Sequence, residues 1–85
     1  MIGRIVCSKA GRDKGLFLAV VGVEGKILLC CDGKERPLER PKHKNIKHVA
    51  LTKENLSKEQ LISNKSLRKA LSYYRGAAEQ AREEN

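Results

Sequence analysis

The fold of this chain is decided close to its start, by the stretch Gly3-Arg4-Ile5-Val6-Cys7-Ser8-Lys9-Ala10-Gly11-Arg12-Asp13-Lys14-Gly15. Its first half is a short apolar run, and we interpret residues 2–8 as a β-strand. Gly11 adopts a positive φ angle more readily than a residue with a Cβ, so we expect the strand to end in a loop around it. Lys9, Arg12 and Lys14 then concentrate basic charge at the loop tip.

Further apolar runs follow this loop and are separated by turn residues. Residues 16–23 and 26–31 are predicted strands, joined by a tight turn at Glu24-Gly25. Gly22, inside the second of these strands, indicates a bulge or a site of close packing. Asp32-Gly33 predicts a second hairpin turn, because both residue types suit the positive φ angles of a two-residue loop.

Two shorter strands complete the expected sheet. We predict one at residues 36–39, at an edge because Pro37 cannot donate a ladder hydrogen bond, and one at residues 46–51. Short strands at this spacing predict a partly open barrel, since rolling up a sheet reduces its exposed edges. The expected fold is mainly β with α, with a small barrel over residues 1–51 and a helical extension packed on it over residues 52–85.

The period of the apolar residues changes from two to about 3.6 beyond residue 51. Residues 57–60, Ser-Lys-Glu-Gln, match a capping box ahead of a helix of one or two turns. Asn64 or Ser66 is expected to cap a longer helix. Of the adjacent tyrosines, Tyr74 fits the apolar stripe of that helix and Tyr73 does not. The stripe comprises Leu67, Ala70, Leu71, Tyr74, Ala77, Ala78 and Ala81.

Length and charge limit the classes of function. A chain of 85 residues with a net charge of +8 is expected to form one domain that binds a polyanion. Apolar runs fall short of the ~20 residues that cross a bilayer, and residues 1–4 lack the pattern of a secretory signal. We therefore expect a cytoplasmic protein without a membrane partner.

Basic residues are concentrated in the first 50 residues, which contain eleven Lys or Arg and five acidic residues. Arginines suit bidentate contacts with phosphate, and lysines suit diffuse attraction to a nucleic-acid backbone. An ordinary solvated surface, with Glu35 and Glu39 paired to Arg36 or Arg40, is the alternative. The densest stretch predicts RNA contacts from Lys34, Arg36, Arg40, Lys42, His43, Lys44 and Lys47.

Three cysteines lack the number and spacing of a disulfide framework, and we expect them to behave as small buried residues. Cys30 and Cys31 are adjacent in a predicted strand, so at most one of them should face the core. A zinc site that combines Cys7 and one of this pair with His43 or His48 is an alternative, but the ligand spacing does not favour it. We expect no metal and no cofactor.

Residues 3–26 resemble the KOW motif, a strand-loop-strand element with a glycine in its loop. Residues 32–44 resemble the second half of the barrel in archaeal and eukaryotic large-subunit ribosomal KOW proteins, and the chain is similar to small bacterial KOW-domain proteins. The resemblance implies an SH3-like barrel that binds ribosomal RNA, with ribosomal proteins as further partners. A ribosomal protein and a ribosome-associated protein both stay open. The family's RNA contacts would fall here on Lys9, Gly11, Arg12 and Lys14.

An enzyme is not expected. The sequence has no recognisable Ser-His-Asp arrangement and no phosphate-binding G-x-x-x-x-G-K-[ST] loop. The leading hypothesis is a non-catalytic RNA-binding protein. A protein-interaction module of the transcription or translation machinery is the competing one, and there the apolar stripe of the helix would dock on a partner. The sequence leaves the oligomeric state open.

Overall fold

The computed structural model describes residues 1–83, and the surroundings of side chains for residues 1–76. It contains five strands, one short 3-10 helix and one α-helix. The strands are β1 (Arg4–Ser8), β2 (Phe17–Glu24), β3 (Ile27–Cys31), β4 (Lys42–Asn45) and β5 (Val49–Asn55). The 3-10 helix spans Ile46–His48, and the α-helix α1 spans Asn64–Glu83.

The strands form a single antiparallel sheet with the order β4-β3-β2-β1-β5. The first three strands therefore lie in the middle of the sheet, and the two later strands form its edges. Together with α1 this confirms a mainly β fold with a C-terminal helix. The first strand begins two residues later than the sequence predicts, and the next two begin one residue later.

Gly22 marks both a bulge and a close approach, as its position in the strand indicates. The register of β2 against β3 shifts between Val20, which faces Cys30, and Gly22, which faces Leu29. A Cβ on Gly22 would lie 2.9 Å from Leu29 Cδ1. Only glycine therefore brings the two strands together at this point without displacing the leucine.

The prediction of the two edge strands is wrong in part. Residues 36–39 belong to an irregular loop, and the fourth strand is the polar segment Lys42–Asn45. Prolines at 37 and 41 remove two backbone donors from the loop, and the N–H of Leu38 donates to the side chain of Asn64. The predicted fifth strand starts late because Asn45 caps a 3-10 turn, its Oδ1 accepting from the N–H of Lys47 at 2.9 Å.

The sheet is buried on both faces, which overturns the expectation for the adjacent cysteines. One cluster lies on the face of the sheet opposite α1, which we call the inner face. It contains Val6, Leu18, Val20, Leu28, Cys30 and Val49. The second lies under α1 and contains Ile5, Ala19, Cys31, Leu67 and Leu71. Cys30 and Cys31 do point to opposite faces, but both are fully buried because the helix covers the second face.

The segment before α1 forms a capped turn rather than the expected short helix. Ser57 and Gln60 make the reciprocal hydrogen bonds of a capping box, at 2.8 and 3.3 Å. The cap of α1 is Ser63 instead of Asn64 or Ser66. Its Oγ accepts from the N–H of Ser66 at 3.1 Å, and its carbonyl accepts from the N–H of Leu67 at 3.0 Å.

The helix packs on the sheet with the first half of its apolar stripe. Leu67, Ala70 and Leu71 are buried, and the ring of Tyr74 meets Phe17 edge to face at 5.0 Å. Tyr73 is 81% exposed, as its position off the stripe predicts. The stripe residues beyond position 76 lie outside the described side chains.

Candidate nucleic-acid interface

Two loops meet at one end of the sheet. The glycine loop, residues 9–16, joins β1 to β2, and the arginine loop, residues 32–41, joins β3 to β4. Between them lies an open cleft of about 550 Å³. Its lining residues are Arg12, Asp13, Leu16, Leu18, Asp32, Glu35, Arg36, Pro37, Arg40 and Lys42.

The glycine loop is closed by its own backbone. Gly11 has φ +86°, the conformation that the sequence predicts for it. The N–H of Leu16 donates to the carbonyl of Asp13 at 2.9 Å, and that of Gly15 donates to the carbonyl of Ser8 at 2.8 Å. This geometry leaves Arg12 exposed at the loop tip, beside the cleft.

A buried ion pair fixes the glycine loop to β4. Lys44 pairs with Leu28 across the sheet and points to the inner face, where its ammonium donates to Asp13 Oδ1 and to the carbonyl of Ala10, both at 2.8 Å. The hydroxyl of Ser8 donates to the same carboxylate oxygen at 2.7 Å. Lys42 Nζ lies 3.6 Å from Asp13 Oδ2, on the side of the cleft.

These contacts control the pKa of Asp13. Desolvation of the carboxyl raises the pKa, but hydrogen bonds from Lys44 and Ser8 and the charges of Lys44 and Lys42 together outweigh it. The result is a pKa lowered to about 2. Asp13 is therefore ionised at neutral pH, and its charge is neutralised from within the fold.

The arginine loop holds Arg36 through backbone hydrogen bonds. Asp32 Oδ1 accepts from the N–H groups of Lys34 and Arg36, both at 2.8 Å. The carbonyl of Arg36 accepts in return from the N–H groups of Asp32 and Gly33, at 3.0 and 3.2 Å. The backbone of Arg36 is thus positioned before any ligand arrives.

The first turn of α1 anchors the same loop. Asn64 Oδ1 accepts from the N–H of Leu38 at 2.7 Å, and its Nδ2 donates to the carboxylate of Glu39 at 3.0 Å. Gly33 has φ +80° and packs so closely on the helix that a Cβ there would collide with the carbonyl oxygen of Asn64. The helix therefore helps to build one wall of the cleft.

The structure brings some of the predicted RNA-contact residues together and separates others. Arg12, Arg36, Arg40 and Lys42 share the cleft. Lys44 is buried and its ammonium is occupied by Asp13 and Ala10. Exposed positions that do not line the cleft are Lys9, Gly11, Lys14, Lys34, His43 and Lys47.

Asp13 and Asn64 contribute to this site in ways that were not predicted from the sequence. Asp13 is the internal partner of Lys44, and Asn64 anchors the arginine loop. Among the side chains described, Glu35 and Glu39 form no ion pair with an arginine, and Glu39 is held by Asn64 instead. An acidic residue inside a basic loop was the available signal for Asp13.

Cys30 and Cys31 are core residues, whereas Cys7 is only partly buried, which departs from the expectation for it. Burial raises the pKa of Cys30 to about 11, with a smaller contribution from neighbouring Cys31. Burial likewise raises the pKa of Cys31 to about 11, with Asp32 and Glu39 adding to it. Among the side chains of residues 1–76, no group of three or more His, Cys, Asp or Glu is arranged to hold a metal ion.

No helix of the described part of the chain has the length and apolar character needed to cross a membrane. A search of protein-family models finds none that matches the chain. A search of curated proteins likewise finds no match.

Proposed function

We propose that this protein binds RNA without catalysing a reaction, and that the cleft between the glycine loop and the arginine loop is the centre of its binding surface. One observation carries the proposal: Arg12 from the glycine loop, Arg36 and Arg40 from the arginine loop and Lys42 at the start of β4 line one cleft. Guanidinium groups grouped in this way suit the phosphates of a folded nucleic acid.

Charge at the cleft favours an anionic ligand even though carboxylates are present. Four cationic side chains and three carboxylates line it. One of these carboxylates, Asp13, is paired from below with Lys44, whose charge adds to the cationic side. The second carboxylate, that of Asp32, accepts backbone hydrogen bonds within its own loop. The three arginines, Lys42 and the third carboxylate, that of Glu35, are left to face a ligand, so cationic groups still outnumber acidic ones.

The sheet supports the proposal that the fold is a partly open SH3-like barrel of the KOW type. The inner cluster is built from strand residues alone, yet its members are at most 5% exposed while α1 covers the opposite face. A sheet that curves over its own inner face would enclose the cluster in this way. Bulges permit this curvature, one at Gly22 and one where Thr52 Oγ1 donates to the carbonyl of Ile5 at 2.7 Å.

On this reading the RNA is ribosomal, ribosomal proteins lie nearby, and the protein acts in the cytoplasm, as the KOW resemblance implies. The competing role of α1 as a docking element is less well supported, because Leu67, Ala70 and Leu71 already pack on the sheet. Sedimentation of a cell lysate through a sucrose gradient tests the ribosomal assignment. Comigration with large subunits that a salt wash reverses is the expected result, and a protein that stays at the top of the gradient contradicts it.

RNA binding itself is tested by its salt dependence. We expect the affinity for a structured ribosomal RNA fragment to fall steeply with salt, because bound arginines release counterions from phosphates. The triple variant Arg12→Ala, Arg36→Ala, Arg40→Ala should make the negative slope of log K against log salt shallower by about 2. The matched control replaces three exposed lysines outside the cleft with alanine: Lys53, Lys65 and Lys69.

The control variant loses the same number of charges and should keep most of the slope. Equal slopes for the two triple variants would show that net charge alone attracts the RNA and would remove the cleft from the proposal. Binding that does not respond to salt in the unaltered protein would contradict the proposal as a whole.

A further inference from the structure

The cleft has an apolar wall that phosphate binding does not need. Leu16 lines it and is 43% exposed, and Leu18 and Pro37 line it as well. An intact RNA duplex offers the protein mainly phosphates and sugars, and the flat faces of its bases are stacked on one another and out of reach. An exposed leucine in a cleft that also contains arginines instead suits a ligand with both an anionic part and a flat apolar part.

The cleft also has the size and rigidity of a small-ligand site. Its volume of about 550 Å³ lies within the range of sites that enclose small molecules, roughly 300–1,000 Å³. The Lys44–Asp13 pair fixes one wall and Asn64 fixes the other. Binding therefore requires little ordering of the protein, which favours a small ligand of defined shape over a ligand held only by long-range charge attraction.

A carboxylate at the cleft, that of Glu35, can accept hydrogen bonds from a nucleotide base. Glu35 is exposed and lines the cleft opposite the glycine loop. Carboxylate oxygens accept hydrogen bonds from the N–H groups of bases, and the N–H groups of the Watson–Crick edge are free to donate to a protein only when the base is unpaired. An acceptor beside arginines would repel a bare phosphate, yet it fits a complete nucleotide.

We propose that the cleft takes up one unpaired nucleotide from a bulge or loop of RNA, with its base against Leu16 and Pro37 and its phosphate on the arginines. This inference rests on the proposed RNA binding and adds the structural class of RNA that is recognised. Aliphatic side chains can hold an extruded base in this way, and the RNA loses little stacking when that base is already unpaired.

Three RNA hairpins test the inference by fluorescence anisotropy with the full-length protein. The first is a continuous duplex stem, the second carries one bulged nucleotide, and the third carries the same bulge without its base. We expect the second RNA to bind about fivefold tighter than the other two, because contact of one base with a protein surface contributes on this scale. The third RNA separates insertion of the base from a change in backbone shape.

Leu16→Ala should remove most of the preference for the bulged RNA, so that this variant binds the bulged RNA and the duplex with nearly equal affinity. Leu51→Ala is the matched control, since Leu51 is 48% exposed and lies outside the cleft. Equal affinity for all three RNAs in the unaltered protein would overturn the nucleotide site and leave RNA binding in place. Equal affinity for the two bulged RNAs would overturn it also, and failure to bind any of the three would overturn both proposals.

Discussion

At the scale of single residues, the buried pair of Lys44 and Asp13 joins the glycine loop to β4. A lysine inside a polar strand reads as a surface charge, but here its ammonium lies 2.8 Å from the carboxylate and is almost fully enclosed. Removal of one member of such a pair leaves the other charged and without its partner. We therefore assign Lys44 to the positioning of the glycine loop rather than to RNA contact.

Asp13→Asn tests this assignment through the pH dependence of stability. The folded-state pKa of about 2 lies below the ordinary 3.8, so the ionised carboxylate stabilises the fold above about pH 4 and this contribution is lost as the pH falls through about 2. The shift corresponds to about 2 kcal/mol. In urea unfolding, the difference between the unaltered protein and the variant should shrink across this range, and a constant difference would contradict the assignment.

Gly33→Ala tests the contact of the arginine loop with α1. Alanine at φ +80° is strained, and its Cβ would meet the carbonyl of Asn64, so we expect a loss of about 2 kcal/mol or more. Gly25→Ala is the control, because Gly25 also has a positive φ but no atom within 4 Å of the added Cβ. That variant should lose only about 1 kcal/mol. Equal losses in chemical denaturation would show that the contact is unimportant.

At the scale of elements, the helix and the arginine loop depend on each other through Asn64. The sequence predicts Asn64 as one of two candidate helix caps, but Ser63 takes that role. The side-chain amide of Asn64 is therefore free to bond to the loop. Sequence patterns report the bonds an element makes with itself, and the bonds between distant elements leave no such pattern. The irregular path of residues 32–41 was missed for the same reason.

Asn64→Ala should loosen the arginine loop while α1 stays folded. The N–H of Leu38 loses its acceptor, which costs about 1 kcal/mol, and Glu39 loses its partner. We expect faster amide hydrogen exchange at Leu38 and weaker RNA binding, although Asn64 does not line the cleft. Lys65→Ala, a neighbouring exposed position, is the control and should change neither. Unchanged exchange at Leu38 would contradict the anchoring role.

At the scale of the whole molecule, the central strands separate two apolar cores. The residue pairs Ile5 and Val6, Leu18 and Ala19, and Cys30 and Cys31 each place one side chain on either face. Continuous apolar runs in these strands were visible in the sequence and gave the central strands correctly. The second core was not anticipated at Cys31, because alternation was interpreted without the helix that covers that face.

Thiol reactivity measures the closure of both cores at once. The pKa values of Cys30 and Cys31 are raised to about 11 by burial, whereas Cys7 is partly exposed. At about pH 8 we expect a thiol-exchange reagent to modify Cys7 in the native protein and all three cysteines after unfolding. Cys7→Ser should abolish the native reaction. Rapid modification of that variant would show that one of the faces opens in solution.

The position of β1 has a consequence for biosynthesis. Among the five strands of the described residues it is translated before the others, yet it lies in the interior of the sheet, and its outer neighbour, β5, is translated after the other four. An incomplete chain that stops before residue 49 leaves one side of β1 with free backbone donors and acceptors, an edge that recruits strands from other molecules. Premature termination before that point should therefore yield aggregates in place of a smaller folded protein.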